Sequence, residues 1–306
     1  MREPAGTRSG ARRDVSVVVV TYEAEAYVER CLDSVRRFET VVVDNGSTDG
    51  TVALVRERFP DAILVEQENL GLAAGWNAGM RAASSPRYYL FLNADAWVVG
   101  DAVGRLVAFA DAHPRAAYVG PRLRYPDGRL QRSVRGFPTL WRLATEYLFL
   151  RKLAPRSRLL NAYYGAGFPH DRPLEAEWLM GACFLARREA VEQVGEADEA
   201  FFLFGEETDW CRRFHDAGWS VWFTPDAEVV HVLGAAHGGR LFRELVAAHL
   251  RFLLKHRGAG YAERARRLLA WSLWLRGIAF RGERGRAYAD TSRWLRSGPV
   301  QSLLAG

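Results

Sequence analysis

The feature that most constrains the fold of this chain is an alternation of short apolar runs with helical patterns over residues 15–92. The run Val15–Thr21, VSVVVVT, is β-branched and apolar at nearly every position, which is typical of a central strand in a parallel sheet. Similar runs follow at Thr40–Val43, Ala62–Glu66 and Tyr89–Leu92, with helical patterns between them. This alternation predicts an α/β fold with a mostly parallel sheet and right-handed crossovers.

Composition bounds the class of protein. Since 49% of the 306 residues are apolar, the chain can form one large domain or two smaller ones. The cysteines Cys31, Cys183 and Cys211 are far apart and show no CxxC spacing, which argues against a disulfide framework and favours a reducing compartment. Residues 1–13 contain four arginines and no apolar h-region of a signal peptide follows them, so we expect a flexible basic arm and not a signal peptide.

The net charge of +6 is distributed unevenly. Residues 240–306 contain 14 Lys/Arg and 4 Asp/Glu, a charge of +10, so residues 1–239 carry about −4. Because the positive charge belongs to the tail, a nucleic-acid-binding core is disfavoured. Arg276 interrupts the longest apolar candidate, so no transmembrane segment is expected and we place the protein in the cytoplasm.

Polar side chains follow three of the predicted strands. They are Thr21 and Glu23, Asp44 and Asn45, and Asn93 and Asp95. The carboxyl ends of parallel strands meet at one edge, which is where open α/β sheets bind ligands. Asp95 is therefore a candidate ligand for a hard cation that bridges phosphates, and a turn or helix-capping aspartate is the alternative. No G-x-G-x-x-G follows the first strand, so a dinucleotide site has no support.

A second group of acids follows an aromatic loop, in the sequence FFLFGEETDW at residues 201–210. Glu206 and Glu207 begin a predicted helix, where the helix dipole favours carboxylates. In the alternative interpretation, one of them is a general base in an aromatic pocket. His231 is structural unless it lies beside Asp95.

Six blocks, in this order, resemble the family 2 glycosyltransferases of the GT-A fold. They are VSVVVVTYEAE, VVVDNGSTDGT, ENLGLAAGWNAG, YLFLNADAWV, WLMGACFLARREAVEQVG and FFLFGEETDWCRRFHDAGW. The resemblance implies a Rossmann-like GT-A domain over residues 14–240, with a nucleotide-sugar-binding half (14–120) and an acceptor half (121–240). A C-terminal helical extension would occupy residues 241–306.

The resemblance also implies an inverting transfer from a nucleotide-diphospho-sugar, with Mg²⁺ or Mn²⁺ on the diphosphate. Asp95, as the last member of the family's DxD, and His231 would bind the metal, and the base would come from the pair Glu206-Glu207. The residues implied for donor binding are Thr21, Glu23, Asp44, Asn45, Asn69, Gly71, Asn77 and Asn93.

Two departures from the family pattern matter. Asn93 replaces the first Asp of DxD, a variant similar to the LNPD form of rhamnosyltransferases, so dTDP-L-rhamnose is our best donor, with a UDP-sugar as an alternative. Glu207 replaces the usual Asp, which leaves open whether Glu206 or Glu207 is the base. The expected acceptor is a cell-surface polysaccharide or a polyprenyl-linked saccharide. A sugar nucleotidyltransferase and an inactive nucleotide-sugar-binding scaffold are the alternatives.

The tail, residues 241–306, predicts basic amphipathic helices. Apolar residues fall on helical stripes over Phe242–Leu253 and Leu268–Ile278, with arginines between them. Such a helix either docks on the catalytic domain with a solvated basic face or lies in the interface of an anionic membrane. In the second case the protein would be peripheral on the inner face of the cell membrane.

Overall fold

The computed structural model describes residues 14–84, 86–157, 159–165, 168–232 and 239–305, so the predicted basic arm lies outside the described residues. The strands are β1 (Val15–Thr21), β2 (Glu39–Asp44), β3 (Ile63–Glu66), β4 (Tyr88–Leu92), β5 (Ala96–Val98), β6 (Ala116–Arg124), β7 (Leu130–Gln131), β8 (Val134–Arg135), β9 (Leu174–Glu175), β10 (Trp178–Leu179), β11 (Cys183–Arg187) and β12 (Ser220–His231). The helices are α1 (Glu25–Val35), α2 (Thr51–Arg58), α3 (Leu72–Ala82), α4 (Ala102–Ala112), α5 (Leu140–Tyr147), α6 (Arg188–Val194), α7 (Glu206–Asp216), α8 (Gly239–Arg257), α9 (Ala259–Ala279), α10 (Gly282–Arg296) and α11 (Val300–Leu304).

The described residues form two compact units. Unit 1 comprises residues 14–134, 169–202 and 209–232, and unit 2 comprises residues 135–168, 203–208 and 239–305. Unit 1 contains the large sheet, in the strand order β3-β2-β1-β4-β11-β6-β12-β5, with β7 beside β6 and β9 beside β12.

The first half of the sheet is parallel, as the sequence predicts. β1 pairs in parallel with β2 and with β4, and β2 pairs in parallel with β3. β11 then lies between β4 and β6, antiparallel to both. The result is a mixed α/β sheet, in which the carboxyl ends of β1, β2 and β4 lie side by side.

Helix α3 packs very closely on β1. Gly75 and Gly79 are one turn apart, and a Cβ at either position would collide with the side chain of Val20 or Val18. Trp76 lies on the same sheet face among aromatic rings, 5.3 Å from Phe91 between ring centroids. This packing fixes the amino end of α3 at the edge where the parallel strands end.

Two later elements of the chain are irregular. Helix α5 ends at Tyr147, and a short 3₁₀ helix follows at Leu150–Lys152. The register of β12 with β6 shifts between Phe223 and Glu228. Pro225 lies at this irregularity. A proline has no N–H to donate to a neighbouring strand, which is consistent with the interrupted pairing there.

In unit 2, helix α9 packs against α5, α8 and α10. Arg276 of α9 is buried, contrary to the basic solvated stripe that its spacing suggests. Its guanidinium donates to the Tyr147 carbonyl at 2.7 Å, lies over the Phe149 ring and so caps the end of α5. Among the described residues, none of the helices combines the length and the hydropathy that a bilayer crossing requires.

Candidate active site

The ends of β1 and β2 hold a buried carboxylate. Thr21 and Asp44 are partners in the strand register, and the Thr21 hydroxyl donates to Asp44 Oδ1 at 2.8 Å. The Ser47 hydroxyl donates to the same oxygen at 2.6 Å, and the Ser47 N–H donates to Oδ2 at 2.8 Å. Three donors therefore fix the orientation of Asp44, which is 2% exposed.

Glu23 connects the loops that follow β1 and β2. Its Oε1 accepts hydrogen bonds from the N–H of Thr48 at 2.7 Å and from the Thr48 hydroxyl at 2.9 Å, and its own N–H donates to Ser47 Oγ at 2.9 Å. The backbone of Glu23 is left-handed, with a φ of 51°. Such a conformation costs about 1 kcal/mol or more, and these hydrogen bonds hold it in place.

Asn45 fixes the loop that leads into α3. Its amide donates to the Gly71 carbonyl at 3.1 Å and accepts from Gln67 Nε2 at 2.9 Å. The Gly71 N–H donates to Asn69 Oδ1 at 3.2 Å, a turn-forming contact. The side chains of Asn45 and Asn69 thus shape the backbone at the amino end of α3, which is the place expected for a donor pocket.

Asn77 is 1% exposed within α3. Its amide donates to the Ala197 carbonyl and to Glu199 Oε1, both at 2.9 Å, and accepts from the Ala197 N–H at 3.0 Å. These contacts hold the loop after α6 against α3. A contact of Asn77 with the donor stays a prediction.

Asp95 and His231 meet at the turn between β4 and β5. His231 is the last residue of β12, which pairs with β5 in antiparallel register so that His231 lies opposite Ala96. The imidazole Nε2 is 3.2 Å from Asp95 Oδ1. From the sequence, a ligand role of His231 depends on its lying beside Asp95. The structure meets this condition. Asn93 is half-buried at the same turn, and its backbone carbonyl accepts a hydrogen bond from the Ala96 N–H.

This pair fits a divalent cation that also binds phosphate. His231 Nδ1 lies 2.8 Å from Gln131 Oε1, so a proton on Nδ1 donates to Gln131 and leaves the Nε2 lone pair beside the Asp95 carboxylate. Neighbouring ligands of an octahedral ion lie about 3 Å apart, close to the observed spacing. Within the described ranges, no group of three or more His, Cys, Asp and Glu side chains could hold a metal. Asp95 and His231 would supply two ligands, with water and phosphate oxygens as the others.

Sequence reasoning missed two residues of this region. Ser47 holds both Asp44 and Glu23, and its signal was available in the turn DNGSTDG, where a serine commonly bonds a nearby aspartate. Gln131 orients His231 across 100 residues of sequence, and nothing in its local sequence indicates this.

The carboxylate pair of unit 2 occupies two different environments. Glu206 and Glu207 are the first residues of α7, and Glu206 is 3% exposed whereas Glu207 is half-buried. Burial, and then the neighbouring Glu207 carboxylate, raise the pKa of Glu206 well above its usual value. Glu206 Oε2 has no hydrogen-bond partner among the described residues. The environment of Glu206 therefore favours its protonated form.

Comparisons with known proteins show what this chain is similar to. The family model for glycosyl transferase family 2 matches residues 16–195. The chain is 33% identical over 254 residues to the N-acetylglucosaminyl-diphospho-decaprenol L-rhamnosyltransferase of Mycobacterium tuberculosis, covering 76% of this chain and 80% of that protein. It is 26% identical over 277 residues to glycosyltransferase AglE of Haloferax volcanii, covering 85% of this chain and 79% of that protein.

Solved structures share the fold at low sequence identity. GalNAc-T7, solved with UDP, GalNAc and Mn²⁺, has a TM-score of 0.58 and 14% identity, over 95% of this chain and 57% of that one. TarS of S. aureus, solved with UDP, has a TM-score of 0.50 and 15% identity, over 95% of this chain and 83% of that one. The predicted GT-A fold is confirmed. The matched family model and the mycobacterial relative together show that this chain belongs to glycosyltransferase family 2.

Proposed function

We propose that this nucleotide-sugar glycosyltransferase moves L-rhamnose from dTDP-L-rhamnose, with inversion, to an N-acetylglucosaminyl-diphospho-polyprenol. The name of the mycobacterial relative, which aligns over 76% of this chain, supports both the sugar and the acceptor. The Asn93-Ala94-Asp95 variant of the metal motif supports the same sugar. A lipid-linked acceptor of this kind belongs to the synthesis of cell-surface polysaccharide at the inner face of the cell membrane.

The observation that carries the proposal is the contact of Asp95 with His231. One carboxylate and one imidazole at the carboxyl edge of the sheet suit a cation that takes its other ligands from a diphosphate. When bound, Mg²⁺ or Mn²⁺ would neutralise negative charge on the leaving diphosphate. Asp95 and His231 would hold the ion, and the imidazole favours Mn²⁺ over Mg²⁺.

We assign the donor-binding roles to residues at the edge of the sheet where the parallel strands end. Asp44, held in one orientation by Thr21 and Ser47, would accept hydrogen bonds from the nucleotide base. Glu23, Asn69 and Gly71 lie on loops at the same edge, where the backbone can approach the ribose and phosphates. Asn45 would act by holding the Gly71 carbonyl in position.

Glu207 is the proposed base. The acceptor hydroxyl must lose its proton as it attacks the anomeric carbon, so the base has to be ionised and accessible. Glu207 as a whole is half-buried, although its Oε2 is enclosed, whereas Glu206 is 3% exposed and favours its protonated form. Glu206 would keep the charge of the pair on Glu207, because two adjacent carboxylates resist double ionisation.

A thermal-shift experiment tests the donor and the metal together. Wild type is heated with dTDP-L-rhamnose, UDP-sugars and GDP-sugars, each with and without Mn²⁺, since a ligand that binds only the folded state raises its stability by about 2.7 kcal/mol at a hundred times its Kd. We expect a Mn²⁺-dependent shift with dTDP-L-rhamnose. Asp95→Ala should lose it, His231→Ala should weaken it, and the exposed-site control Asp61→Ala should keep it.

Two outcomes would contradict the proposal. A stabilisation that is the same without metal, or that survives in Asp95→Ala, removes the assigned role of Asp95. A shift with a different nucleotide sugar removes dTDP-L-rhamnose as the donor. Transfer of the sugar to a short-chain N-acetylglucosaminyl-diphospho-polyprenol, followed by mass spectrometry, then tests the acceptor.

A further inference from the structure

The outward face of α9 in unit 2 carries a stripe of large apolar side chains. Its members are Trp271, Trp274, Leu275 and Ile278, and they are 51%, 44%, 37% and 67% exposed. Their separations of three, four and seven residues place them on one side of the helix. We call them the α9 stripe. It extends about 10 Å along the helix axis.

The stripe is not needed for the packing of unit 2. The opposite side of α9 is buried through Ala262, Ala265, Leu269, Ala270 and Leu273, and it faces α5, α8 and α10. A single exposed apolar side chain is ordinary on a protein surface, but two tryptophans with two aliphatic neighbours on one helix face form a patch. Such a patch indicates a surface that contacts something less polar than water.

Positive charge exceeds negative charge in the segments that flank the α9 stripe. Arg264 and Arg267 are exposed on the turns that precede it, and Arg281, Glu283 and Arg284 are exposed beyond its end. The Arg296 guanidinium lies 5.8 Å from the centroid of the Trp274 ring. Nearby Glu263 is already paired with Arg266 and Arg267. A partner that fits this face must therefore have an anionic surface and an apolar interior.

We propose that the α9 stripe is a docking face for an anionic lipid bilayer. Trp271, Trp274 and Ile278 would enter the headgroup region, where indole rings are favoured, and the arginines would contact lipid phosphates. A stripe of this length contributes too little apolar area to anchor the protein alone, so electrostatic attraction must contribute and binding is reversible and salt-sensitive.

Vesicle sedimentation of the full chain tests the proposal. Wild type should sediment with vesicles of phosphatidylcholine and phosphatidylglycerol, much less with phosphatidylcholine alone, and less as salt is raised. The double variant Trp271→Ser/Ile278→Ser should bind the anionic vesicles about ten-fold more weakly. Val99→Ser is the matched control, because Val99 is an exposed apolar residue of unit 1, and it should bind like wild type.

A second variant separates charge from apolar contact. Arg264→Gln/Arg267→Gln should weaken binding to anionic vesicles and reduce its salt dependence. Thermal unfolding and the donor-induced shift of each variant, measured without vesicles, should match wild type, which shows that the proteins are folded.

Three results would overturn the proposal. The first is wild-type binding that is no stronger to anionic than to neutral vesicles. The second is equal binding by wild type and the Trp271→Ser/Ile278→Ser variant. The third is a dimer in analytical ultracentrifugation that this variant abolishes, since a second copy of the chain would then cover the stripe.

Discussion

Two adjacent glutamates show how environment separates residues of one type. Glu206 is enclosed, its pKa is raised by burial, and its Oε2 has no hydrogen bond among the described residues. Glu207, next in the sequence, remains half-buried. The sequence alone leaves both as candidates for the base, because burial depends on the loop and helix that enclose the pair and not on residue type.

Paired glutamine substitutions test this division. Glu207→Gln should lower kcat by about 10²–10⁴-fold, because a neutral amide cannot accept the proton of the acceptor hydroxyl. Glu206→Gln should keep most of the activity, since it replaces a protonated carboxyl with a neutral group of the same shape. Initial rates at saturating donor and acceptor measure both. Equal losses would show that the pair acts as one unit, and a larger loss in Glu206→Gln would assign the base to Glu206.

The same pair makes a prediction for stability. A carboxyl whose pKa is raised on folding binds more protons in the folded state, so its contribution to stability is lost as the pH rises above its unfolded value of 4.5. Glu206→Gln should therefore unfold at a higher temperature than wild type at pH 8, and the difference should shrink towards pH 4.5. A difference that does not change with pH would contradict the raised pKa. Calorimetric melts across this range give the comparison.

At the scale of elements, the close approach of α3 to the loop before α7 depends on one glycine. Gly71 has a φ of 94°, and a Cβ there would lie closer than 3.0 Å to the O, Cα and C atoms of Phe202. The Leu72 N–H donates to that same Phe202 carbonyl at 2.8 Å, so the first turn of α3 is satisfied by the loop. Gly71 allows both the conformation and the contact.

Matched Gly→Ala substitutions distinguish a glycine that the fold requires from one that it does not. Gly71→Ala should lower the free energy of unfolding by more than about 1 kcal/mol, because its φ disfavours a side chain and Phe202 leaves no room for one. Gly260→Ala, near the start of α9 with nothing within 4 Å of its Cβ position, should instead raise it by about 0.5–1 kcal/mol. Urea denaturation measures both free energies of unfolding. A Gly71→Ala variant as stable as wild type would contradict the requirement for glycine at this position.

The elements differ in how far the sequence predicts them. The parallel part of the sheet is predictable, because Val15–Thr21 and its successors each carry a local apolar pattern. The pairing of β5 with β12, which brings His231 to Asp95, joins residues far apart in sequence and has no local signal. Periodicity also finds the α9 stripe but cannot tell which face is buried. The small residues Ala262 and Ala265 permit close packing on one side, and the tryptophans remain outside.

At the scale of the whole molecule, charge is distributed unevenly along the chain. The excess of positive charge lies in residues 240–306. The described residues of this segment all belong to unit 2. The interior of the same unit holds His249, whose Nε2 lies 2.8 Å from the Tyr163 hydroxyl and whose Nδ1 lies 3.4 Å from that of Tyr147. Burial lowers the pKa of His249 to about 4. A buried imidazole that must stay neutral makes the fold sensitive to acid.

The sign and size of this sensitivity can be measured. Between pH 6.5 and 4 the unfolded chain protonates His249 while the folded chain does not, so the free energy of unfolding falls as the pH is lowered, by about 3 kcal/mol from this residue. His249→Gln changes the stability at neutral pH through its altered hydrogen bonds, but it removes the titrating group. The slope of unfolding free energy against pH over this interval is therefore the informative quantity. Urea denaturation of both proteins should give a flatter slope for His249→Gln, and parallel slopes would show that His249 takes up its proton in the folded state as readily as in the unfolded one.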